Sequence, residues 1–184
     1  MIARIAEITA TAPPTWEEAL AHAKALLAQG VNVAIVEPAK VVEIFDSRGR
    51  HCDHTDGTPA LQHFYSNGGP KEIGHYADGA LNDIGDGTAA SISFDEAGRL
   101  RKVEHRTAGL LNDPTGGGPA FAEFWPDGSV RWSAHFLDAV FHDPDPQTPA
   151  VQFFYPDGSL RRTSSYTNGE LVSEKSFPPP LCQI

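Results

Sequence analysis

Apolar residues fall on two different rhythms along this chain. In TWEEALAHAKALLAQG (Thr15–Gly30), Trp16, Ala19, Ala23, Leu26 and Leu27 recur at the three- and four-residue intervals of a helix. Thr15 followed three positions later by Glu18 forms a capping box, and Gly30 supplies a C-terminal stop, so the spacing predicts one helix over about 16–29. The flanking runs IARIAEI and VNVAIVE read as strands, giving a β-α-β cap over residues 1–41 that packs its helix on one face of a sheet. Further on the rhythm changes to two: in PAVQFFY (Pro149–Tyr155), Ala150, Gln152 and Phe154 share one face while Val151, Phe153 and Tyr155 share the other. Both faces carry large apolar groups. One face therefore covers the sheet's own core, and the other is either covered by a neighbour or left sticky.

That two-fold rhythm is itself repeated. Cut every 30 residues from His51, the chain gives units 51–80, 81–110, 111–140 and 141–170 that align without a gap. The third position holds Asp53, Asp83, Asp113 and Asp143, the tenth Ala60, Ala90, Ala120 and Ala150, and the fourteenth Phe64, Phe94, Phe124 and Phe154. Gly68, Gly98, Gly128 and Gly158 occupy the eighteenth, and the basic Lys71, Arg101, Arg131 and Arg161 follow three later. A second glycine recurs at Gly79, Gly109 and Gly169, with Ala139 the exception. VEIFDSRGR (Val42–Arg50) reads as the closing half of a fifth copy, with Gly49 at its turn.

Each column has a physical reading. Strand-like runs meet at a PDG or SNG turn, where glycine accepts positive φ cheaply and Asp or Asn closes an Asx turn, so every unit is a β-hairpin. Pro59, Pro119 and Pro149 open strands, where a missing donor costs least. One hairpin is marginal alone, and stacking buries the phenylalanines. The predicted fold is mainly β: tandem 30-residue hairpins forming an antiparallel meander sheet over 42–173 (half unit 42–50, then the four units), the 1–41 cap before it and a Pro-rich tail, 174–184, after it.

Composition agrees with many short elements, since the 184 residues include 17 Gly and 15 Pro with 40% apolar content. No run approaches the twenty apolar residues of a membrane-spanning helix and no signal-peptide pattern opens the chain, so a cytoplasmic protein without membrane contact is expected. Cys52 and Cys182 fit neither a metal spacing nor a disulfide framework and are expected as reduced thiols. The net charge is −10, and residues 51–170 hold eight Lys and Arg against seventeen Asp and Glu. Such a surface repels phosphate backbones and argues against a nucleic-acid partner.

The candidate chemistry is sparse. His75, His105 and His135 share a repeat position, yet equivalent residues stand about 9.6 Å apart at a strand spacing of about 4.8 Å. Nitrogens sharing a zinc ion lie about 2.0–2.1 Å from it, so no metal bridges that row. The same distance defeats a calcium site in the Asp column, whose members read as turn-closing acceptors or partners of the basic column. HCDHTD (His51–Asp56) holds ligand types at an unusual spacing and reads as a tight turn. GDGTAAS and PTGGGPA lack the lysine of a phosphate loop, and no nucleophile elbow occurs. Neither catalytic residues nor a metal or cofactor is therefore expected, and the chain is read as no enzyme.

Units such as LNDPTGGGPAFAEFWPDGS and FHDPDPQTPAVQFFYPDGS resemble the bacterial and phage hairpin repeats written LHRxDGPAxxxYxDG, and more distantly the MORN-type repeats of the toxin–antitoxin antitoxin family. The resemblance covers roughly 42–173 and departs from the pattern at Asn82, Asn112 and His142, where a basic residue is frequent. It implies a protein-binding role, including toxin neutralisation, and carries over no catalytic residue. The expected function is a non-enzymatic module, an antitoxin, immunity or phage accessory factor, binding another protein through an acidic surface with Tyr65, Trp125, Trp132 and Tyr155 as anchors. The alternative for these rings is core packing. The alternative for the molecule is a structural subunit, homo-oligomeric or part of a larger assembly, docking through an open edge or the tail FPPPLCQI.

Overall fold

The computed structural model describes residues 13–85 and 87–180, so IARIAEI, Cys182 and the end of the tail lie outside the described residues. Helix α1 (Trp16–Ala28) begins at the predicted capping box: Glu18 N–H donates to Thr15 Oγ1 at 3.4 Å and Thr15 N–H to Glu18 Oε2 at 2.8 Å. It ends before Gly30, whose φ is +84°. Trp16, Ala19, Ala23 and Leu26 are buried, whereas Leu27, expected in the same stripe, is 44% exposed. Burying the larger of these side chains contributes roughly 2–3 kcal/mol each.

Strands β1 (Asn32–Val36) and β2 (Val41–Phe45) form an antiparallel hairpin across Glu37–Lys40, so the line drawn between residues 41 and 42 falls beside a turn inside one continuous sheet. Strands β3 (Leu61–Phe64), β4 (Pro70–Gly74), β7 (Ser91–Phe94), β8 (Leu100–Glu104), β11 (Phe121–Phe124), β12 (Val130–Ala134), β15 (Val151–Phe154), β16 (Leu160–Thr167) and β17 (Glu170–Ser176) follow in chain order. With β1 and β2 they make an open eleven-stranded antiparallel meander. The hairpin repeat and the meander are as the sequence predicts. Each turn glycine named in the repeat has positive φ, for example +87° at Gly128, a conformation closed to a β-branched side chain.

Between these major hairpins the chain makes minor ones, absent from the predicted meander. They pair β5 (Tyr76–Ala77) with β6 (Ala80–Leu81), β9 (Arg106–Thr107) with β10 (Leu110–Leu111), and β13 (Phe136–Leu137) with β14 (Val140–Phe141). Their two-residue turns, such as Asp78-Gly79 at φ +51° and +84°, have both residues at positive φ, as a type I′ turn requires. Minor hairpins also bond to one another: Gly109 N–H donates to the Leu81 carbonyl at 2.9 Å and Ala139 N–H to that of Leu111 at 2.8 Å.

Cross-strand register separates the two faces. Val42, Gln62, Ile73, Ile92, Val103 and Ala122 stand opposite one another on successive strands, on the face that α1 covers at its first strands. There Trp16, Ala19 and Ala23 meet Val42 and Phe64, and farther along Ala89, Ile92, Val103, Ala122 and Phe124 form a second cluster. On the other face Ala134, Val151 and Phe136 pack together with Leu111, Phe141 and Tyr166, the minor hairpins forming a partial second layer.

Val42–Arg50 takes the closing half of a copy: Val41, Val42 and Glu43 of β2 oppose His63, Gln62 and Leu61 of β3 as Glu72, Ile73 and Gly74 of β4 oppose Ser93, Ile92 and Ser91 of β7, and His51 bridges Phe45 where Leu81 pairs with Tyr76. At the other end the tail starts later than 174, because β17 runs through Ser176 and Phe177 N–H still donates to the Arg161 carbonyl at 2.9 Å. Ser176 opposes Arg162 as Ser93 opposes Glu72, so β17 occupies the place of the next unit's first strand.

Candidate functional site

The recurring aspartates and histidines of the repeat form one device. Asp53 Oδ1 accepts the backbone N–H of Ala60 at 2.8 Å and of Tyr76 at 2.9 Å, while Oδ2 lies 2.6 Å from His75 Nδ1. Asp83 repeats this with Ala90, Arg106 and His105, and Asp113 with Ala120, Phe136 and His135. Asp143 binds Ala150 and Tyr166 N–H, but Ser165 stands where the imidazole would be. Each carboxylate thus staples a major hairpin to its minor one, at the point where the chain bends. The aspartates are backbone acceptors, as one expected role had it, but they close the bend between hairpins, and among the described residues they do not pair with the basic column. Nor is the histidine column solvated: the side chains of His75, His105 and His135 are only 8, 15 and 10% exposed. A fixed offset of 22 residues between each Asp and its His was the signal in the sequence.

The four expected anchors also have partners inside the fold. A β-bulge recurs in each of the four major hairpins, between His63 and Phe64, Ser93 and Phe94, Glu123 and Phe124, and Phe153 and Phe154. The extra residue on the partner strand is the basic one, which in the first, third and fourth units turns back over the aromatic ring beside the turn; the second unit has Asp95 in that place. Lys71 lies 5.9 Å from the Tyr65 ring centre, Arg131 5.0 Å from that of Trp125 and Arg161 6.0 Å from that of Tyr155. The Tyr65 hydroxyl then donates to the Phe94 carbonyl at 2.8 Å and that of Tyr155 to Phe177 at 3.1 Å, tying each turn to the next strand pair. Trp125 sits in the same place, but its buried Nε1–H has no acceptor.

Trp132 is different. It stacks between Phe121 at 4.4 Å and Phe153 at 5.7 Å on the face opposite α1, and its Nε1–H donates to Glu123 Oε2 at 2.9 Å. Arg162 continues the stack, 4.3 Å from the Phe153 ring centre. On this face Glu104 accepts from Arg106 at 2.7 Å and lies 2.7 Å from Lys102; burial opposes its charge, yet those two cations hold its carboxyl below the usual range.

The HCDHTD segment is spent on local contacts. His51 lies 3.0 Å from Glu43 and between the Phe45 and Tyr76 rings, while Asp56 lies 2.9 Å from His54 and 3.2 Å from His22 of α1. Among the described residues no group of three or more His, Cys, Asp and Glu side chains is arranged to hold a metal ion. No described helix is long and apolar enough to cross a membrane. Exposed apolar groups gather elsewhere: Leu110, Leu137 and Val140, at 47, 56 and 44% exposure, lie on two neighbouring minor hairpins, and Leu171 and Val172 project from β17. No protein-family model matches the chain, and a search of curated proteins finds no match to it.

Proposed function

We propose that the protein is a non-enzymatic interaction module that binds another protein through the ridge of its minor hairpins. The observation that carries this reading is the contiguous exposure of Leu110, Leu137 and Val140. Leu137 and Val140 are cross-strand partners, and Leu111 is hydrogen-bonded to Ala139 next to them. Aliphatic side chains gathered on bonded neighbours make a patch, unlike scattered ones. Tyr65 and Tyr155 are occupied in tying hairpins together and Trp125 lies under Arg131, so the ridge supplies the first contact and Trp132 an aromatic neighbour on the adjoining sheet face. Toxin neutralisation, the role implied by the repeat resemblance, is the specific form of this reading.

Affinity capture tests it with three proteins: wild type, Leu110→Ser/Leu137→Ser/Val140→Ser, and Trp125→Ala/Tyr155→Ala, each checked for an unchanged thermal transition. A partner lost from the first variant supports the ridge. Loss from the aromatic variant alone would move the contact to the rings, and retention by both would sink the proposal.

Exposed Leu171 and Val172, at 56 and 65% on an edge strand, favour a second reading in which copies or other subunits add to β17. Native mass spectrometry distinguishes it, because a Leu171→Lys variant would then dissociate the oligomer.

A further inference from the structure

Strands β15, β16 and β17 border a groove of about 360 Å³, lined by Phe153, Tyr155 and Phe177 together with Arg161, Arg162, Glu174 and Ser176. That volume falls within the range of about 300–1,000 Å³ typical of small-molecule sites. The bulge opposite Phe153 and Phe154 makes Arg161 the extra residue beside Arg162, and both guanidinium groups reach the same cavity. Their flat faces are already engaged: Arg162 lies 4.3 Å from the Phe153 ring centre and Arg161 6.0 Å from that of Tyr155. What remains available is the N–H edge of each fork, the part that matches a carboxylate or phosphate in its plane.

Little inside the protein satisfies those edges. Arg161 makes no ion pair among the described residues, and Arg162 meets Glu174 at 3.8 Å, with side chains 43 and 47% exposed. Earlier units answer the same need differently: Arg131 has Glu123 within 3.6 Å, while Glu72 takes the place of Arg162 in the first unit. Only the last hairpin sets two consecutive arginines against three rings and a hydroxyl.

We propose that this groove binds a small aromatic anion, a planar ring bearing a carboxylate or a phosphate monoester. The charged group lies across Arg161 and Arg162 with Ser176 as a further donor, and the ring packs against the edges of Phe153, Tyr155 and Phe177, whose faces meet Trp132, Arg162, Arg161 and Lys175. Glu174 opposes the ligand by charge and by competing for Arg162. The proposal is independent of the protein-binding reading, whose ridge lies on the minor hairpins.

Amide NMR of the full chain tests it with benzoate, phenyl phosphate, inorganic phosphate and benzyl alcohol. The expected result is saturable shifts at Arg162, Ser176 and Phe177 with an aromatic anion, at a Kd of about 1 mM or below. The anion that saturates first identifies the charged group. Arg161→Gln and Arg162→Gln should each weaken binding about tenfold or more, as loss of a charge-assisted hydrogen bond implies. Glu174→Gln should tighten it, which a purely structural role for that residue would not do. Equal binding of inorganic phosphate would refute the aromatic part, and equal binding of benzyl alcohol the anionic part. No saturable shift with either aromatic anion, or shifts that persist in the arginine variants, would overturn the whole.

Discussion

Ala139 turns the chain with φ +64°, where the equivalent positions of the other three units, Gly79, Gly109 and Gly169, hold glycine. An L-residue there costs about 1–2 kcal/mol, and removing the methyl returns about 0.4–1 kcal/mol of unfolded-state entropy. Ala139→Gly should therefore stabilise the protein by about 0.5–1 kcal/mol in urea denaturation. The aspartate staples set a steeper contrast. Asp113→Ala orphans the N–H groups of Ala120 and Phe136 and removes the partner of His135, so a loss of about 2–4 kcal/mol is expected. Asp143→Ala should cost about 1 kcal/mol less, because its unit has no imidazole to strand.

At the scale of the element, the tie between hairpins runs through the residue just before each turn. Tyr65 and Tyr155 complete it and Trp125 leaves its indole N–H unpaired, so Trp125→Tyr should match or raise the thermal midpoint despite the smaller ring. A clear drop would mean that the indole's packing outweighs the missing bond. The major hairpins were legible because three signals coincide in each: alternation, a turn glycine and a phenylalanine four residues before it. The minor ones were not, since strands of two residues have no alternation to read, although Asp78-Gly79 and Asn168-Gly169 are type I′ signatures. The staples stayed hidden for a related reason. Members of either column stand about two strands apart, whereas Asp53, Asp83 and Asp113 each bond the histidine of their own unit across a bend that periodicity does not encode. The bulges, which decide where the basic column points, likewise leave no mark in composition.

Across the whole molecule, the acidity of the repeats is largely internal wiring. Backbone hydrogen bonds from Arg50 to Asp46, from Arg99 to Asp95 and from Gln147 to Asp145, and the hydroxyls of Ser129 on Asp127 and Ser159 on Asp157, hold these carboxyls below their usual range. A group with a lowered folded value contributes stability above its unfolded pKa, about 3.9, and loses it as pH falls through the folded one. These carboxylates should thus leave the thermal midpoint level above about pH 5 and lower it below about pH 4, while burial of His63, which holds its imidazole below the usual range, adds a smaller decline as pH falls below about 6.5. An equal decline between pH 7 and 5 would contradict that wiring.

Strand β17 takes the place of a following unit's first strand, and this has a consequence for how such a chain changes over time. Its hydrogen bonds to β16 are those any following hairpin would make, so the junction before it does not register how many hairpins came earlier. A tandem duplication or deletion spanning one whole period would leave every remaining seam intact, shifting the length of the sheet by two strands, about 9.6 Å. Fragments of any other length would break a staple. Reach is therefore a heritable quantity that moves in whole steps, and it can change without disturbing either the helix at one end or the paired arginines at the other.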